Sequence, residues 1–326
     1  MNPDKRTLVL TNAGIDRARG ELEQTPGITV VERYDLAEAT REDELIQGLA
    51  GAWATVAGSE PYTRGVLEAT PDLKAIFRFG TGSDAIDIPA ATDAGVLVIT
   101  TPAVNAEAVA DMALALMLAS IRRLPALDEA VRAGRWRTGG ATRDLARATV
   151  GVVGLGAIGR AVTRRLRGFG CRVLALEPYP DEEFTTRHEV ELTELETMLP
   201  QVDVLTLHAP LTDATRRLIG APQLALLPRH AVVVNTSRGE LIDQAALAAA
   251  LSEHRIAAAG LDVFEREPVP PGDPILSAPN TLLSGHVSST TQVGLDGMAG
   301  AVVANLREVL DGTIPASCKN PEAWSR

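Results

Sequence analysis

The chain has 326 residues and a formal net charge of −11, with 45% hydrophobic, 22% charged and only 3% aromatic residues. At roughly 150 residues per domain, this length favours two domains. An acidic surface disfavours nucleic acid and anionic lipid as partners, and no run of 18 apolar residues is present to cross a membrane. Met1–Arg6 lacks the apolar stretch of a signal peptide, and two cysteines, Cys171 and Cys318, form neither a disulfide framework nor a metal site. We therefore expect a cytoplasmic protein without metal.

Short apolar runs alternate with helical patterns along the whole chain. Strands are predicted at Thr7–Leu10, Ile28–Val31, Trp53–Ala57, Lys74–Phe77, Val96–Ile99, Ala148–Val153, Cys171–Leu176, Val202–Leu207, Ala231–Val234, Ala257–Leu261 and Thr281–Leu283. Strands separated by helices in this way are typical of βαβ units and parallel sheets. We predict an α/β fold with two doubly wound parallel-sheet, Rossmann-like domains and a cleft between them.

Four longer helices decide the predicted domain boundaries. They are Ala106–Ser120, Ala157–Gly170, Gln244–Ser252 and Gln292–Leu310. The first connects the two units and is followed by a basic stretch, Arg122–Arg143, that we interpret as irregular. The last comes too late for the second sheet, and we expect it to cross back to the first. The prediction is a discontinuous domain of residues 1–100 and 288–326, and a second domain of residues 101–287.

Residues 149–160, TVGVVGLGAIGR, place a G-x-G-x-x-G motif between a predicted strand and a predicted helix. In this setting Gly154 permits a tight turn, Gly156 lets the backbone approach a pyrophosphate, and Gly159 lets the helix pack on the strand. The helix start, with Ala157 and Ile158, offers free N–H groups and partial positive charge to phosphates. The motif therefore predicts a dinucleotide-binding site.

The acid that follows this motif bears on the type of dinucleotide. Glu177 comes 18 residues after Gly159, at the end of the next strand, with Pro178 beside it. An acid there hydrogen-bonds the ribose hydroxyls of NAD and repels the 2′-phosphate of NADP. Because no Arg or Lys lies between Glu177 and Glu183, we predict NAD as the cofactor, with NADH preferred over NADPH.

Three further segments with polar residues follow later predicted strands: Ala231–Asp243 (AVVVNTSRGELID), Gly260–Pro268 (GLDVFEREP) and Leu282–Thr291 (LLSGHVSSTT). Ligands of open parallel sheets bind at the carboxyl ends of the strands. Arg238, Glu267 and His286 are therefore expected to point into one crevice, together with Asp262.

With these motifs, nearly the whole chain resembles the D-isomer-specific 2-hydroxyacid dehydrogenase family, which includes phosphoglycerate dehydrogenase, D-lactate dehydrogenase and glyoxylate/hydroxypyruvate reductase. Leu73–Ile88 is similar to the family's substrate loop, Thr101–Asp111 to its interdomain segment, and Leu207–Thr215 to its adenine-side loop. The resemblance implies an NAD-dependent oxidoreductase that moves a hydride between NAD(H) and C2 of a small D-2-hydroxy or 2-keto acid. Residues 1–100 and 288–326 would form a flavodoxin-like substrate (catalytic) domain, and residues 101–287 the NAD-binding Rossmann domain.

The resemblance also implies catalytic roles. His286 would be the acid/base, because imidazole titrates close to working pH. Glu267 would hydrogen-bond the second ring nitrogen, fixing the tautomer and favouring the protonated form. Arg238 would hold the substrate carboxylate and polarise the carbonyl, because its planar fork matches two oxygens.

Binding residues are implied in the same way. Backbone N–H groups near Thr81 and Gly82 would bind the substrate carboxylate, with Arg78, Gly80 and Arg238 as further substrate contacts. Asp262 would meet the nicotinamide carboxamide. The remaining implied cofactor contacts are His208, Pro210, Thr215, Thr236 and His286. The family is typically dimeric through the cofactor domain, so a homodimer is expected, with Ala113–Trp136 as the contact.

The substrate and two alternative functions stay open. The loop Ala57–Tyr62 carries Glu60 where phosphoglycerate dehydrogenases often carry basic residues, which favours an unphosphorylated acid such as glyoxylate or hydroxypyruvate. Arg78 could still serve a 3-phosphoglycerate-type substrate. An NAD-sensing, non-catalytic binding protein on the same fold is one alternative, against which the intact trio argues, and a phosphite dehydrogenase is another. Val287–Ser289 departs from the family's usual glycine-rich segment, which puts the pocket shape in doubt.

Overall fold

The computed structural model describes residues 6–37, 41–138 and 140–325. It separates into two units, one of Met1–Asn105 with Thr290–Arg326 and one of Ala106–Ser289. The strands are β1 Arg6–Leu10, β2 Ile28–Glu32, β3 Ala54–Ala57, β4 Ala75–Arg78, β5 Leu97–Ile99, β6 Thr149–Val153, β7 Arg172–Leu176, β8 Val190–Leu192, β9 Val204–Leu207, β10 Val232–Asn235, β11 Ala258–Leu261 and β12 Thr281–Leu283. The α-helices are α1 Arg19–Glu23, α2 Glu42–Gly48, α3 Arg64–Ala69, α4 Ile88–Asp93, α5 Ala106–Ile121, α6 Leu124–Arg132, α7 Ala157–Phe169, α8 Glu182–Arg187, α9 Leu195–Met198, α10 Ala221–Leu226, α11 Gln244–Ser252 and α12 Gln292–Leu310.

The first unit contains a five-stranded sheet in the order β2-β1-β3-β4-β5, in which all pairs are parallel. Its strands are apolar on both faces, as strands covered by helices on each side must be. Leu10 and Phe77 share one buried cluster with Val302 and Leu306 of α12. Alternate strand residues such as Ile76 point to the opposite face and pack with α2 and α3. The reversal of strand order between β1 and β3 puts the ligand-binding edge of this sheet after those strands.

The second unit contains a seven-stranded sheet in the order β12-β11-β10-β9-β6-β7-β8, again with parallel pairs throughout. Leu205 and Val233 pack on one face with α10 and α11, whereas Val150 and Val234 pack on the other with α5 and α7. The predicted α/β class with two doubly wound parallel sheets is therefore confirmed. The loops after six of these strands, at one edge of the sheet, carry the motifs found in the sequence.

The prediction for one segment of the chain is wrong. The stretch Arg122–Arg143, interpreted as irregular, contains the nine-residue helix α6. Pro125 lies in the first turn of this helix, where its missing N–H costs nothing and its fixed φ suits the helix. Asp128 and Arg132, one turn apart, form a 2.7 Å ion pair on its surface. No helix within 6–37, 41–138 and 140–325 is both long and apolar enough to cross a membrane.

Candidate active site

The loop between β6 and α7 has the shape that its three glycines predict. Gly154 adopts a φ of +92°, and a Cβ there would lie 2.8 Å from the Ala209 nitrogen in the loop after β9. A Cβ on Gly159 would overlap the carbonyl oxygen of Gly154, whereas a Cβ on Gly156 would meet nothing within 4 Å. Close packing beneath the loop and open space at Gly156 fit a backbone that a pyrophosphate can approach. Ala157 and Ile158 begin α7 directly beyond it.

Glu177, directly after β7, already contacts this loop. One carboxylate oxygen accepts a 2.7 Å hydrogen bond from the Leu155 N–H, and the other accepts from the Tyr179 N–H at 3.0 Å. A carboxylate has about four acceptor positions, so ribose hydroxyls can still be bound. Pro178 lies beside it. The acid is thus held at the rim of the glycine loop.

Arg160 is a neighbour of this acid that sequence reasoning missed. Its Nε donates to the Leu155 carbonyl at 2.8 Å, and its guanidinium pairs with Asp181 at 2.7 Å and lies over Phe184. Arg160 belongs to α7, which precedes Glu177 in the chain, whereas the segment after Glu177 contains no cation up to Glu183. The residue directly after the G-x-G-x-x-G motif was the signal available in the sequence.

The other predicted cofactor contacts lie after β9 and β10. His208 is buried, its Nε2 lies 3.0 Å from the Thr206 hydroxyl, and its Nδ1 has no hydrogen-bond partner among the described residues. Burial lowers the pKa of His208 to about 3, so its ring stays neutral. Thr236 is also buried, with a hydroxyl unpartnered by any described residue. The Thr215 hydroxyl donates to the Pro210 carbonyl at 2.6 Å and closes the loop after β9.

Arg238 lies in the turn that follows β10. The Asn235 side chain fixes this turn, because its amide donates to the Arg238 carbonyl at 2.7 Å while its oxygen accepts from the Ser237 N–H at 3.0 Å. Ser237 in turn donates to the Ala209 carbonyl at 2.6 Å. The guanidinium of Arg238 donates to the Ser237 carbonyl at 2.7 Å. The turn therefore holds a cation at the edge of the sheet where ligands bind.

Glu267 and His286 are in direct contact. The His286 Nδ1 lies 2.6 Å from one carboxylate oxygen of Glu267, and the other oxygen accepts from the Phe264 N–H at 3.0 Å. His286 follows β12 and Glu267 lies in the loop after β11, so neighbouring strands bring them together. Both side chains are partly exposed. This contact engages the Nδ1 of His286, so Nε2 is the ring nitrogen that is not held by Glu267.

Asp262 anchors the loop that carries His286. It is fully buried, and its carboxylate accepts from the Ser284 hydroxyl at 2.6 Å, the Val287 N–H at 3.1 Å, the Ser288 N–H at 2.9 Å and the Ser288 hydroxyl. Its own carbonyl accepts from the His286 N–H at 2.7 Å, and His286 has a φ of +56°. These four donors fill the acceptor positions of the carboxylate. A nicotinamide carboxamide would have to replace one of them.

The predicted substrate loop belongs to the first unit and follows β4. Gly80 adopts a φ of +149°, and a Cβ there would lie 2.8 Å from an Arg78 guanidinium nitrogen. The exposed Thr81 donates to the Thr101 carbonyl at 3.4 Å or to the Asn105 side chain at 3.3 Å. Gly82 is partly exposed. In the described part of the chain, no group of three or more His, Cys, Asp or Glu side chains is placed to hold a metal ion.

Comparisons with known proteins agree with this architecture. The model of the D-isomer specific 2-hydroxyacid dehydrogenase NAD binding domain matches residues 114–288. The chain is 41% identical over 269 residues to a glyoxylate reductase of Korarchaeum cryptofilum, covering 81% of each chain. It is 36% identical over 297 residues to glyoxylate/hydroxypyruvate reductase B of Serratia proteamaculans, covering 90% of this chain and 91% of the relative. The structure of an NADPH-dependent glyoxylate/hydroxypyruvate reductase of Sinorhizobium meliloti, in complex with NADP and malonate, superposes with a TM-score of 0.83 at 31% identity over 98% of both chains.

The chain belongs to the D-isomer specific 2-hydroxyacid dehydrogenase family. The matches confirm the family expected from the sequence, and they confirm the reaction class. The protein is an oxidoreductase that uses a nicotinamide cofactor and acts on the CH–OH group of 2-hydroxy acids.

Proposed function

We propose that this protein reduces a small, unphosphorylated 2-keto acid, of the glyoxylate or hydroxypyruvate type, to the D-2-hydroxy acid with NADH. The observation that carries the proposal is the 2.6 Å contact between Glu267 and His286 beside the Arg238 turn, at the ligand-binding edge of three adjacent strands. That arrangement combines a proton donor with a carboxylate-binding cation. The relatives named as glyoxylate and hydroxypyruvate reductases support the same substrate class.

His286, Glu267 and Arg238 each have a separate role in the proposed reduction. Bound nicotinamide supplies the hydride that C2 of the keto acid accepts. His286 donates the proton on Nε2 to the carbonyl oxygen, and Glu267 holds the Nδ1–H so that the ring keeps its orientation and its charge is stabilised. Arg238 binds the substrate carboxylate through two of its five guanidinium N–H groups. The keto group is thus reduced to a hydroxyl group, because C2 gains a hydride and the carbonyl oxygen gains a proton.

The residues at the ends of β6, β7, β9 and β10 fit a dinucleotide. The glycine loop with Ala157 and Ile158 would hold the pyrophosphate, and Glu177 with Pro178 the adenosine ribose. The remaining contacts would be His208, Pro210, Thr215, Thr236, Asp262 and His286. The two buried unpartnered groups, the Nδ1 of His208 and the hydroxyl of Thr236, support a polar ligand nearby. Glu177 favours NADH, whereas Arg160 beside it is a cation that a 2′-phosphate would seek.

We propose that the first unit is the substrate domain, predicted as residues 1–100 and 288–326, and that the second unit is the NAD-binding domain, predicted as residues 101–287. Backbone N–H groups near Thr81 and Gly82 would bind the substrate carboxylate, with Gly80 and Arg78 beside them. We further propose a homodimer formed through the cofactor domain. A cytoplasmic location is also proposed, because both cysteines are free thiols and suit a reducing compartment.

The experiment that tests the function follows NADH absorbance at neutral pH with glyoxylate, hydroxypyruvate, pyruvate, 2-ketoglutarate and 3-phosphohydroxypyruvate. A parallel assay offers NAD and phosphite. We expect rapid NADH oxidation with glyoxylate or hydroxypyruvate. Turnover of phosphite alone would replace the proposal by phosphite oxidation. NADH binding without turnover of any substrate would favour a sensor.

A further inference from the structure

Glu60, in the loop after β3, is a buried acid that the proposed mechanism does not use. It is 1% exposed, and neither carboxylate oxygen has a hydrogen-bond partner among the residues the structure describes. The nearby Thr11 hydroxyl does not supply one, because its proton goes to the Val56 carbonyl at 3.0 Å. An unpartnered buried carboxylate is costly, and native proteins seldom retain one without a role. The group is therefore a candidate for contact with a ligand.

The loop that carries Glu60 lies beside the proposed substrate loop, because the strands that precede the two loops are paired. The last residue of β3, Ala57, pairs in register with Arg78, the last residue of β4, and its carbonyl accepts from the Phe79 N–H at 2.9 Å. The loops after these strands are thus neighbours at the ligand-binding edge. The Arg78 guanidinium in turn lies beside Gly80. Glu60 and the backbone proposed to bind the substrate carboxylate therefore share Arg78 as a neighbour.

The electrostatics around Glu60 do not suit an anionic substituent. Burial raises the pKa of Glu60, and the nearby Thr11 hydroxyl, the backbone N–H groups of Glu60 and Gly58 and the positive charge of Arg78 oppose that rise. A Cβ on Gly58 would lie 3.1 and 3.3 Å from the two Glu60 oxygens, and 3.2 Å from the Asn12 side-chain nitrogen. The acid is therefore held close against the loop of its own strand. The ionised carboxylate of Glu60 itself offers only hydrogen-bond acceptors, so at this point it suits a hydroxyl donor better than a phosphate, which requires donors and cations.

We propose that Glu60 is a specificity residue, which accepts a hydrogen bond from a hydroxyl group carried on C3 of the substrate. This proposal rests on the proposed function and narrows its substrate class to 3-hydroxylated 2-keto acids such as hydroxypyruvate. A phosphate or carboxylate on C3 would meet the acid without a donor to pair with it. Pyruvate, in which C3 is a methyl group, would leave the carboxylate unpartnered in the complex.

The test compares substrates that differ by one group. Hydroxypyruvate, pyruvate, glyoxylate and 3-phosphohydroxypyruvate are assayed with the wild type, Glu60→Met, Glu60→Gln and Glu68→Gln. Met keeps the length of the side chain without its acceptors, and Gln keeps its shape without its charge. Glu68 on α3 is exposed and serves as the control. Thermal unfolding of each variant reports whether the fold is retained.

We expect the wild type to prefer hydroxypyruvate over pyruvate in kcat/KM. Glu60→Met should lower that ratio by about tenfold or more, because a site built to hydrogen-bond a substrate hydroxyl discriminates strongly against the analogue without it. Glu60→Gln should fall between Met and wild type. Glyoxylate, which has no C3, should keep its kcat/KM within about twofold, since it makes no contact with this residue. Glu68→Gln should leave the ratio unchanged.

A parallel loss of kcat/KM on all substrates would show a structural role and overturn the proposal, as would an unchanged ratio in Glu60→Met. In both cases the proposed function stands, because the wild type still reduces 2-keto acids. A wild type that reduces none of them would overturn the proposed function and the role of Glu60 together.

Discussion

At the scale of single residues, contact with a carboxylate does not by itself distinguish His286 from the other histidines. His230 also lies beside one, with its Nε2 2.9 Å from Asp203. Asp203, however, is paired with Arg143 at 2.7 Å, and His230 directly precedes β10 at the opposite edge of the sheet. Ligands of parallel sheets bind at the carboxyl ends of strands. The position of each histidine relative to the sheet therefore favours His286, and not His230, as the acid/base residue.

His286→Ala should lower kcat by roughly 10²–10⁴-fold, because general acid–base catalysis contributes about that much. NADH binding, measured by fluorescence titration, should change little. The matched control is His230→Ala, which removes a carboxylate-paired histidine from the other edge and should keep kcat within about twofold. A near-wild-type kcat for His286→Ala would remove this residue from the mechanism.

We predict that cofactor choice depends on two opposing residues, Glu177 and Arg160, which both contact Leu155. The wild type should show a higher kcat/KM with NADH than with NADPH. Glu177→Gln should reduce the ratio of the two values by about tenfold, because one unit of charge repulsion toward the 2′-phosphate is lost. Glu183→Gln, an exposed acid on α8, is the control and should leave the ratio unchanged. A wild type that prefers NADPH would refute the argument from Glu177.

The contacts of Asp262 show why part of the site could not be predicted from the sequence. Glu267, His286 and Arg238 each lie in a short motif, so their types and spacing indicated chemistry. Ser284 and Ser288 lie in the same segment as His286, but their type and spacing indicated no role, because their hydroxyls become donors to Asp262 only where β12 lies beside β11. Ser288 was noted as a departure from a glycine-rich segment, and the structure shows that its side chain helps to anchor the His286 loop.

At the scale of elements, the packing of α7 on its loop can be tested with two glycines of the same helix. Gly159→Ala should weaken cofactor binding strongly, because the new Cβ would overlap the Gly154 carbonyl oxygen and displace the glycine loop. Gly168→Ala is the control, since a Cβ there meets nothing within 4 Å. It should leave the Kd for NADH unchanged and raise stability by about 0.5–1 kcal/mol through helix propensity. Equal Kd values for the two variants would contradict the packing argument.

The accuracy of the element predictions follows from how much of each element is apolar. Helices α11 and α12 have the predicted bounds, because they are apolar over most of their length and each begins after a side-chain N-cap, Asp243 and Thr291 respectively. The edge strand β8 was missed, since it has three residues and only one of them is buried. α6 was missed because it lies in a basic stretch and contains Pro125, which together resembled a loop. It is also short and largely polar, with Ala130 as its one buried residue.

At the scale of the whole molecule, the second unit exposes several large apolar side chains within one short segment, on and just after α6. Leu124, Val131 and Trp136 lie on or just after α6 and are 51%, 53% and 77% exposed. They fall within the segment Ala113–Trp136 proposed as the dimer contact. Contiguous exposed apolar surface commonly marks a protein interface. A second copy of the chain that packs on α6 would bury these apolar side chains.

Sedimentation equilibrium at micromolar concentration should therefore give a mass near twice 34.4 kDa. The double variant Val131→Lys with Trp136→Lys should shift the mass to that of a monomer, because like charges would replace apolar groups in the contact. The control is Val293→Lys, which alters an equally exposed apolar residue of α12 in the other unit and should remain dimeric. A monomeric wild type would rule out the dimer, and a dimeric double variant would place the contact on another surface.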